Sequence, residues 1–225
     1  MSEESSPQPV AFLVCFAVRE EAAFSWLRRP GSERLITGMG RRNASMRFGE
    51  VLKRVIPERV LTCGFAGALS PKLKIGDVLF DEDYDAGLGK ALLAAGAIPG
   101  KFHCSTRVAV TVAEKAELFQ TTGADAVEME SSVIRSLCRQ RGIPSATVRV
   151  ISDAANEDLP LDFNALMTSE QKISIPKLMT KLLASPRAIS RLMELQRNTR
   201  TAARRLGDVL NTSLRSCSGG SVGVA

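Results

Sequence analysis

Apolar residues along the chain fall into short blocks, some continuous and some spaced at helical intervals. "VAFLVCFAV", residues 10–18, is a continuous run of the kind expected for a strand buried on both faces. At about nine residues it is too short to span a bilayer. The acidic "SEESS" before it is the wrong flank for a secretion signal. Helix-like "REEAAFSWLRR" follows, then a short strand "RLITG". "GRRNASMRFGEVLKRV" places Ala44, Phe48, Val51 and Leu52 at helical spacing. "RVLTCGFAGAL" reads as a short strand ending in a glycine-rich turn and "GDVLF" as a further strand. "AGLGKALLAAGAIPG" reads as an apolar helix, "RVAVTV" as a strand and "AEKAELFQ" as a helix.

The clearest unit lies between residues 125 and 153. "DAVEM" is a strand, and Ser131 or Ser132 can cap a helix with the apolar face Val133, Ile134, Leu137 and Cys138. That helix stops at Gly142 before Pro144, and "SATVRVIS" is a buried strand. Strand, helix, strand predicts a βαβ crossover with two parallel strands. Glu130 and Asp153 then become neighbours at the carboxyl-end edge, where open α/β sheets bind ligands. The fold expected is α/β: a single domain over residues 10–183 with a mixed, largely parallel central sheet flanked by helices. A basic amphipathic helical extension over 186–212 and a disordered tail over 213–225 follow it.

Within the clearest unit, "AVEMESS" ends an apolar approach in two carboxylates, Glu128 and Glu130, bracketing Met129. A buried carboxylate without a partner costs several kcal/mol or takes up a proton, so these two must meet something. Glu130 sits at a helix N-terminus, where the macrodipole favours the ionised form. A two-oxygen acceptor there suits two hydroxyls on adjacent carbons, as in a ribose.

Composition narrows the chemistry. With 44% hydrophobic and 24% charged residues the chain reads as a globular protein, not a disordered or membrane-embedded one. Five cysteines stand singly, without a C-x-x-C pair, so neither a disulfide framework nor a zinc site is signalled and a reducing, cytoplasmic setting is expected. The single histidine, His103, makes a histidine triad or a multi-histidine metal site unsupported. Acid–base work falls to carboxylates. The net charge of +6 belongs to the end of the chain, where residues 181–225 carry eight lysines and arginines against Glu194 and Asp208. There "PRAISRLMELQRNTRTAARRLGDVL" spaces Ile189, Leu192, Leu195, Ala202, Leu206 and Val209 helically, with arginines on the other faces. This helix can lie on an anionic lipid surface, or dock on the body or on a second subunit. No recognised module or interleaved aromatic supports nucleic-acid binding.

Four segments, "FAVREEA", "GFAGALSPKLKIGDVLF", "AVEMESSVI" and "IPSATVRVISDAA", stand in an order that resembles the purine nucleoside phosphorylase and methylthioadenosine/S-adenosylhomocysteine nucleosidase superfamily over about residues 10–183. The compact middle and arginine-rich extension are similar to its hopanoid-associated, phosphorylase-like nucleosidase branch. The resemblance implies hydrolysis of the N-ribosidic bond of a purine-type nucleoside, lipid-linked or 5′-modified, with no metal or organic cofactor. By it, Glu21 orients or deprotonates the attacking water and Glu130 binds the ribose 2′ and 3′ hydroxyls, with Met129 beneath the sugar. Asp153, after Ser152, protonates the purine ring nitrogen, and Arg149 helps to position the aspartate loop. Glu128 and the residues Phe65, Ala66 and Gly67 are expected against the substrate too. Asp153 can donate near neutrality only if burial beside Glu130 raises its pKa.

Two departures from the family pattern bear on specificity. Phe65 replaces a small hydroxyl residue, and "TCGFAG" holds no arginine for phosphate. Arg41 and Arg42, opening a helix after "GMG", are the remaining anion candidates. Hydrolysis is therefore expected over phosphorolysis, a phosphorylase and a catalytically weak nucleoside-binding protein being the alternatives. The ring that stacks on the base in the family falls near Ala109, leaving Phe102, Phe65, Tyr84 or a residue of a partner subunit to supply one. A homo-oligomer is expected.

Overall fold

The computed structural model describes residues 6–25, 31–83, 86–168, 170, 174–184 and 186–217. The chain opens with β1 (Gln8–Phe16), β2 (Ser32–Ile36), α1 (Gly40–Val51), β3 (Val55–Ala68) and β4 (Val78–Asp83). It continues through α2 (Gly89–Ala94), β5 (Ile98–Pro99), β6 (Phe102–Cys104), α3 (Val112–Thr122), β7 (Ala126–Glu128), α4 (Ser131–Gln140) and β8 (Ser145–Asp153). It closes with α5 (Phe163–Leu166), α6 (Ile175–Ala184) and α7 (Pro186–Ser216). The strands form one mixed sheet in the order β2-β1-β3-β8-β4-β5, with β7 beside β3 and β6 beside β7. Pairing is mostly parallel; β4 with β8 and β3 with β7 are the antiparallel pairs.

Each face of the sheet is covered because the strands in its middle are apolar on both sides. On one face Ala44, Phe48 and Val51 of α1 and Ile134 and Cys138 of α4 pack on Leu13, Cys15 and Val60. On the other, Leu92 of α2 and Ala202, Leu206, Val209, Leu210 and Leu214 of α7 pack on Phe12, Val14, Leu61 and Val148. The α7 residues recur at i, i+4, i+7 and i+8, the stripe that lets a helix bury one side. Leu206, Leu210 and Leu214 are almost fully enclosed, each contributing about 1.5–3 kcal/mol by burial. The second half of α7 is thus docked on the body. The helix runs on to Ser216, and residues 218–225 lie outside the described ones. Among the described residues no helix is long and apolar enough to cross a membrane. Among the described residues the five cysteines form no disulfide.

Several local expectations need correction. Residues 19–24 form turns in place of a helix, because the Glu21 carboxylate folds back to accept the N–H groups of Ala17 and Val18 at 2.8 and 3.1 Å. "GFAGA" is not a turn but the last part of β3, which runs on alongside β8 through a register shift between Ala66 and Gly67. "RVAVTV" forms no strand, since side chains take its backbone groups. Asn164 bonds both the N–H and the carbonyl of Val108, and Glu114 accepts from Val110 N. Lastly, β7 and β8 are not a parallel pair: β7 runs antiparallel to the end of β3, whereas β8 runs parallel to β3. The extended β3 gives β7 an edge to turn back along, which the pattern of apolar residues did not reveal.

Candidate active site

A cleft of about 220 Å³ opens where β1, β3 and β8 end and β7 turns back. Its walls include Ala17, Val18 and Glu21 after β1, Phe65, Ala66 and Gly67 of β3, and Val127 to Glu130 around the end of β7. Ser152 and Asp153 of β8, Met39, Leu159 and the extended residues Arg107, Val108 and Ala109 complete it. Carboxylates from three distant parts of the chain therefore open on one cavity.

Glu21 is buried, with one oxygen on the N–H groups of Ala17 and Val18 and the other accepting from Phe65 N at 2.9 Å. Burial raises its pKa against the opposing pull of nearby Arg149 and these hydrogen bonds. Glu20 is exposed and takes no part. The close approach of Glu21 needs Gly64: a Cβ on that residue would lie 2.4 Å from Glu21 Oε1 and 2.4 Å from Arg149 Nη1.

Beneath the cleft Arg149 is fully enclosed, its Nη2 2.6 Å from Glu128 Oε2 and 3.6 Å from Glu130 Oε2. It does not line the cavity, and its partners are glutamates and not the aspartate loop, which corrects the expected role. Glu128 is spent inside the protein: it accepts from Arg149, from the N–H groups of Glu130 and Ser131 and from the Ser131 hydroxyl. Burial pushes its pKa up, but Arg149 and these bonds outweigh it and the pKa is lowered. The helix cap is thus Glu128 acting on the first turn of α4, with Glu130 as the N-cap residue, in place of Ser131 or Ser132.

Glu130 keeps more freedom. One oxygen accepts the N–H of Gly40, the first residue of α1, at 2.8 Å, and the side chain reaches the cleft. Burial, opposed by Arg149 and reinforced by the charges of Glu21 and Glu128, pushes its pKa up to about 7. The macrodipole argument for a fully ionised group is overridden here, because three glutamates share one arginine in a dry place.

Asp153 faces the cleft with both oxygens held from behind. Ser152 Oγ donates to Oδ1 at 2.8 Å, and Lys115 Nζ lies 2.7 Å from Oδ2. Met129 lies half-buried in the same wall, and Phe65 supplies the aromatic ring there. Phe102 packs instead on the apolar cluster around Ala126 and Ile151, and Tyr84 lies outside the described residues. Arg41 donates to the carbonyl of Cys104. Among the described residues no three of His, Cys, Asp or Glu are grouped to hold a metal ion.

A sequence model of the Phosphorylase superfamily matches residues 80–184, the stretch that holds Glu130, Arg149 and Asp153. Over those residues, a little under half of the chain, the sequence is similar to that superfamily. The 5′-methylthioadenosine/S-adenosylhomocysteine nucleosidase of Staphylococcus aureus strain JH9 is 27% identical over 164 residues, covering 58% of this chain and 72% of that protein. Two solved structures share the fold. Futalosine hydrolase of Helicobacter pylori superposes with a TM-score of 0.65 at 16% identity, over 93% of this chain and 98% of that one. The Neisseria meningitidis methylthioadenosine/S-adenosylhomocysteine nucleosidase, solved with methylthio-immucillin-A, gives 0.66 at 19%, over 93% and 99%. These share the mixed, largely parallel sheet flanked by helices that was expected for this chain.

Sequence reasoning missed Lys115, Gly64, Gly40 and Arg107. Lys115 left a readable sign, since it lies on the same face of α3 as Leu118 and Phe119, a charge set in an apolar stripe. Gly64 and Gly40 left none, because Gly64 acts by the room it leaves and Gly40 by its backbone N–H.

Proposed function

We propose that the chain is a nucleosidase that hydrolyses the N-ribosidic bond of a purine-type, 5′-modified nucleoside. The observation that carries this reading is the convergence of Glu21, Glu130 and Asp153 on one cleft, supported by relatives named as nucleosidases. Glu130 and the sulfur-bearing Met129 face the sugar, with Glu130 accepting from its 2′ and 3′ hydroxyls. As the bond from C1′ to the base nitrogen lengthens, positive charge grows on the sugar and negative charge on the base. Asp153 gives its proton to the departing base, which keeps the electron pair of the broken bond. Water oriented by Glu21 bonds to C1′ and loses its proton to that carboxylate. The products are a free sugar and a free base, and no cofactor enters the balance.

Hydrolysis is favoured over phosphorolysis because the cations near the cleft are already engaged. Arg149 is bound to Glu128, Arg107 to Glu114 and Arg41 to the carbonyl of Cys104. Product analysis with methylthioadenosine, futalosine and adenosine, each with and without inorganic phosphate, tests this. Free ribosyl sugar in both cases is the expected result. Sugar 1-phosphate formed only with phosphate means a phosphorylase, and binding without turnover means a nucleoside-binding protein.

For partners, we assign a surface role to the exposed stripe on the first half of α7, whose other side meets the loop after β8 through Arg191. Ile189 and Met193 stand exposed with Ile175 and Met179 of α6. At the same helical spacing the stripe continues into exposed Arg197 and Arg200. Apolar residues followed by arginines suit an anionic lipid surface. Flotation with phosphatidylglycerol vesicles should recover the wild type but not Ile189→Glu/Met193→Glu. Equal recovery of both, or a stable dimer that this double variant splits, assigns the face to something other than lipid.

A further inference from the structure

We propose that Lys115 is a positioning residue for Asp153, holding its carboxyl at the cleft and supplying the positive charge that stabilises the carboxylate once its proton has gone to the departing base. This rests on the nucleosidase reading above. Lys115 is the buried residue of α3, with a side chain shut off from solvent. Its ammonium has three N–H bonds and three acceptors: Asp153 Oδ2 at 2.7 Å, the carbonyl of Ala154 at 2.7 Å and the carbonyl of Glu157 at 2.9 Å. All of them belong to the segment that leaves β8, so one saturated cation fixes both the carboxyl and the backbone that carries it.

The pair has a front and a back. Asp153 opens on the cleft, whereas Lys115 is sealed behind it. An ion pair serving stability alone has no need to keep its anion at a cavity wall. Ser152 holds the other oxygen, and a Cβ on Gly67 would come within 3.0 Å of Oδ2, so the carboxyl has little room to turn. When the O–H bond of Asp153 breaks, its electron pair stays on a carboxylate that already touches an ammonium. The Lys115 ammonium, 2.7 Å from Oδ2, thus offsets the negative charge that the step leaves on Asp153. Other charged groups stand around Asp153: Glu157 and Asp158 of its own loop with Arg191 and Glu194 of α7 behind, and Glu21, Glu128, Glu130 and Arg107 around the cleft. Among the described residues, the cation paired directly with Asp153 is Lys115.

Lys115→Met keeps the length of the side chain and removes the charge. We expect kcat per folded molecule to fall at least about tenfold with KM changed by less than about threefold, and the alkaline limb of the pH profile to move up by about one unit or more. Carbon-13 titration of the Asp153 carboxyl should show the same upward move. Lys115→Gln, which keeps a donor for the two carbonyls, carries the same measurements should methionine not fold. An unchanged limb, an unchanged titration and wild-type kcat in the folded fraction overturn the proposal and leave Lys115 a structural ion pair. If the wild type cleaves no nucleoside, the nucleosidase reading fails, while the carboxyl titration still decides whether Lys115 controls Asp153.

Discussion

Gly64→Ala probes the way the site is assembled. The added Cβ would stand 2.4 Å from Glu21 Oε1, 2.7 Å from its carboxyl carbon and 2.4 Å from Arg149 Nη1, where ordinary contact begins at 3.4 Å. Something must therefore move by about 1 Å, and neither neighbour moves cheaply, because both are buried and bonded. The backbone adds to the strain, with Gly64 at φ 155°. Overpacking of this kind costs about 1–3 kcal/mol. For a chain of this size that is a fall in Tm of about 2–12 °C. If Glu21 orients the nucleophile as proposed, a displacement of about 1 Å there costs about a hundredfold in rate. Scanning calorimetry and single-turnover base release measure the two effects separately. A variant with unchanged Tm and a wild-type rate would show that Glu21 and Arg149 do not depend on this gap, and the account of the site's assembly would be wrong.

Arg149→Met strands Glu128 and Glu130 without their cation and should lower stability by about 3–5 kcal/mol, read by urea denaturation at pH 7.5. A milder loss would mean that the glutamates share a proton already. Glu130 gives a pH signature. Its folded-state pKa, about 7, lies above the ordinary value of 4.5, so between these values the folded state binds more protons than the unfolded state. The stability it contributes is present at acid pH and is lost as pH rises through about 7. Denaturation midpoints of the wild type should fall from pH 5 to pH 8 relative to those of Glu130→Gln; parallel curves would remove the claim. Because the sugar hydroxyls need an anionic acceptor, kcat/KM should rise with pH up to about 7 and lose that limb in Glu130→Gln.

Much of this was legible in the residues themselves. Continuous apolar runs gave β1 and β8, and helical spacing gave α1, α4 and the docked stripe of α7, because burial leaves a period in the sequence. Glu128 and Glu130 stood out because carboxylates do not belong at the end of an apolar approach, and the structure supplies Arg149 beneath them. What stayed hidden were interactions with no period. The turn after β1 is set by a carboxylate folding back on its own backbone. The extension of β3 and the antiparallel β7 follow from a register shift at Ala66 and Gly67. The lysine behind Asp153 belongs to a helix remote from it in the chain, so its partner could not be read from spacing.

The most direct test of the central claim is the initial rate of base release from methylthioadenosine in phosphate-free buffer, measured for the wild type and for Asp153→Asn with folding checked by circular dichroism. We expect turnover in the wild type and a loss of about 10²–10⁴ in the variant, the share of a positioned general acid. A folded Asp153→Asn that releases base at the wild-type rate would contradict the account.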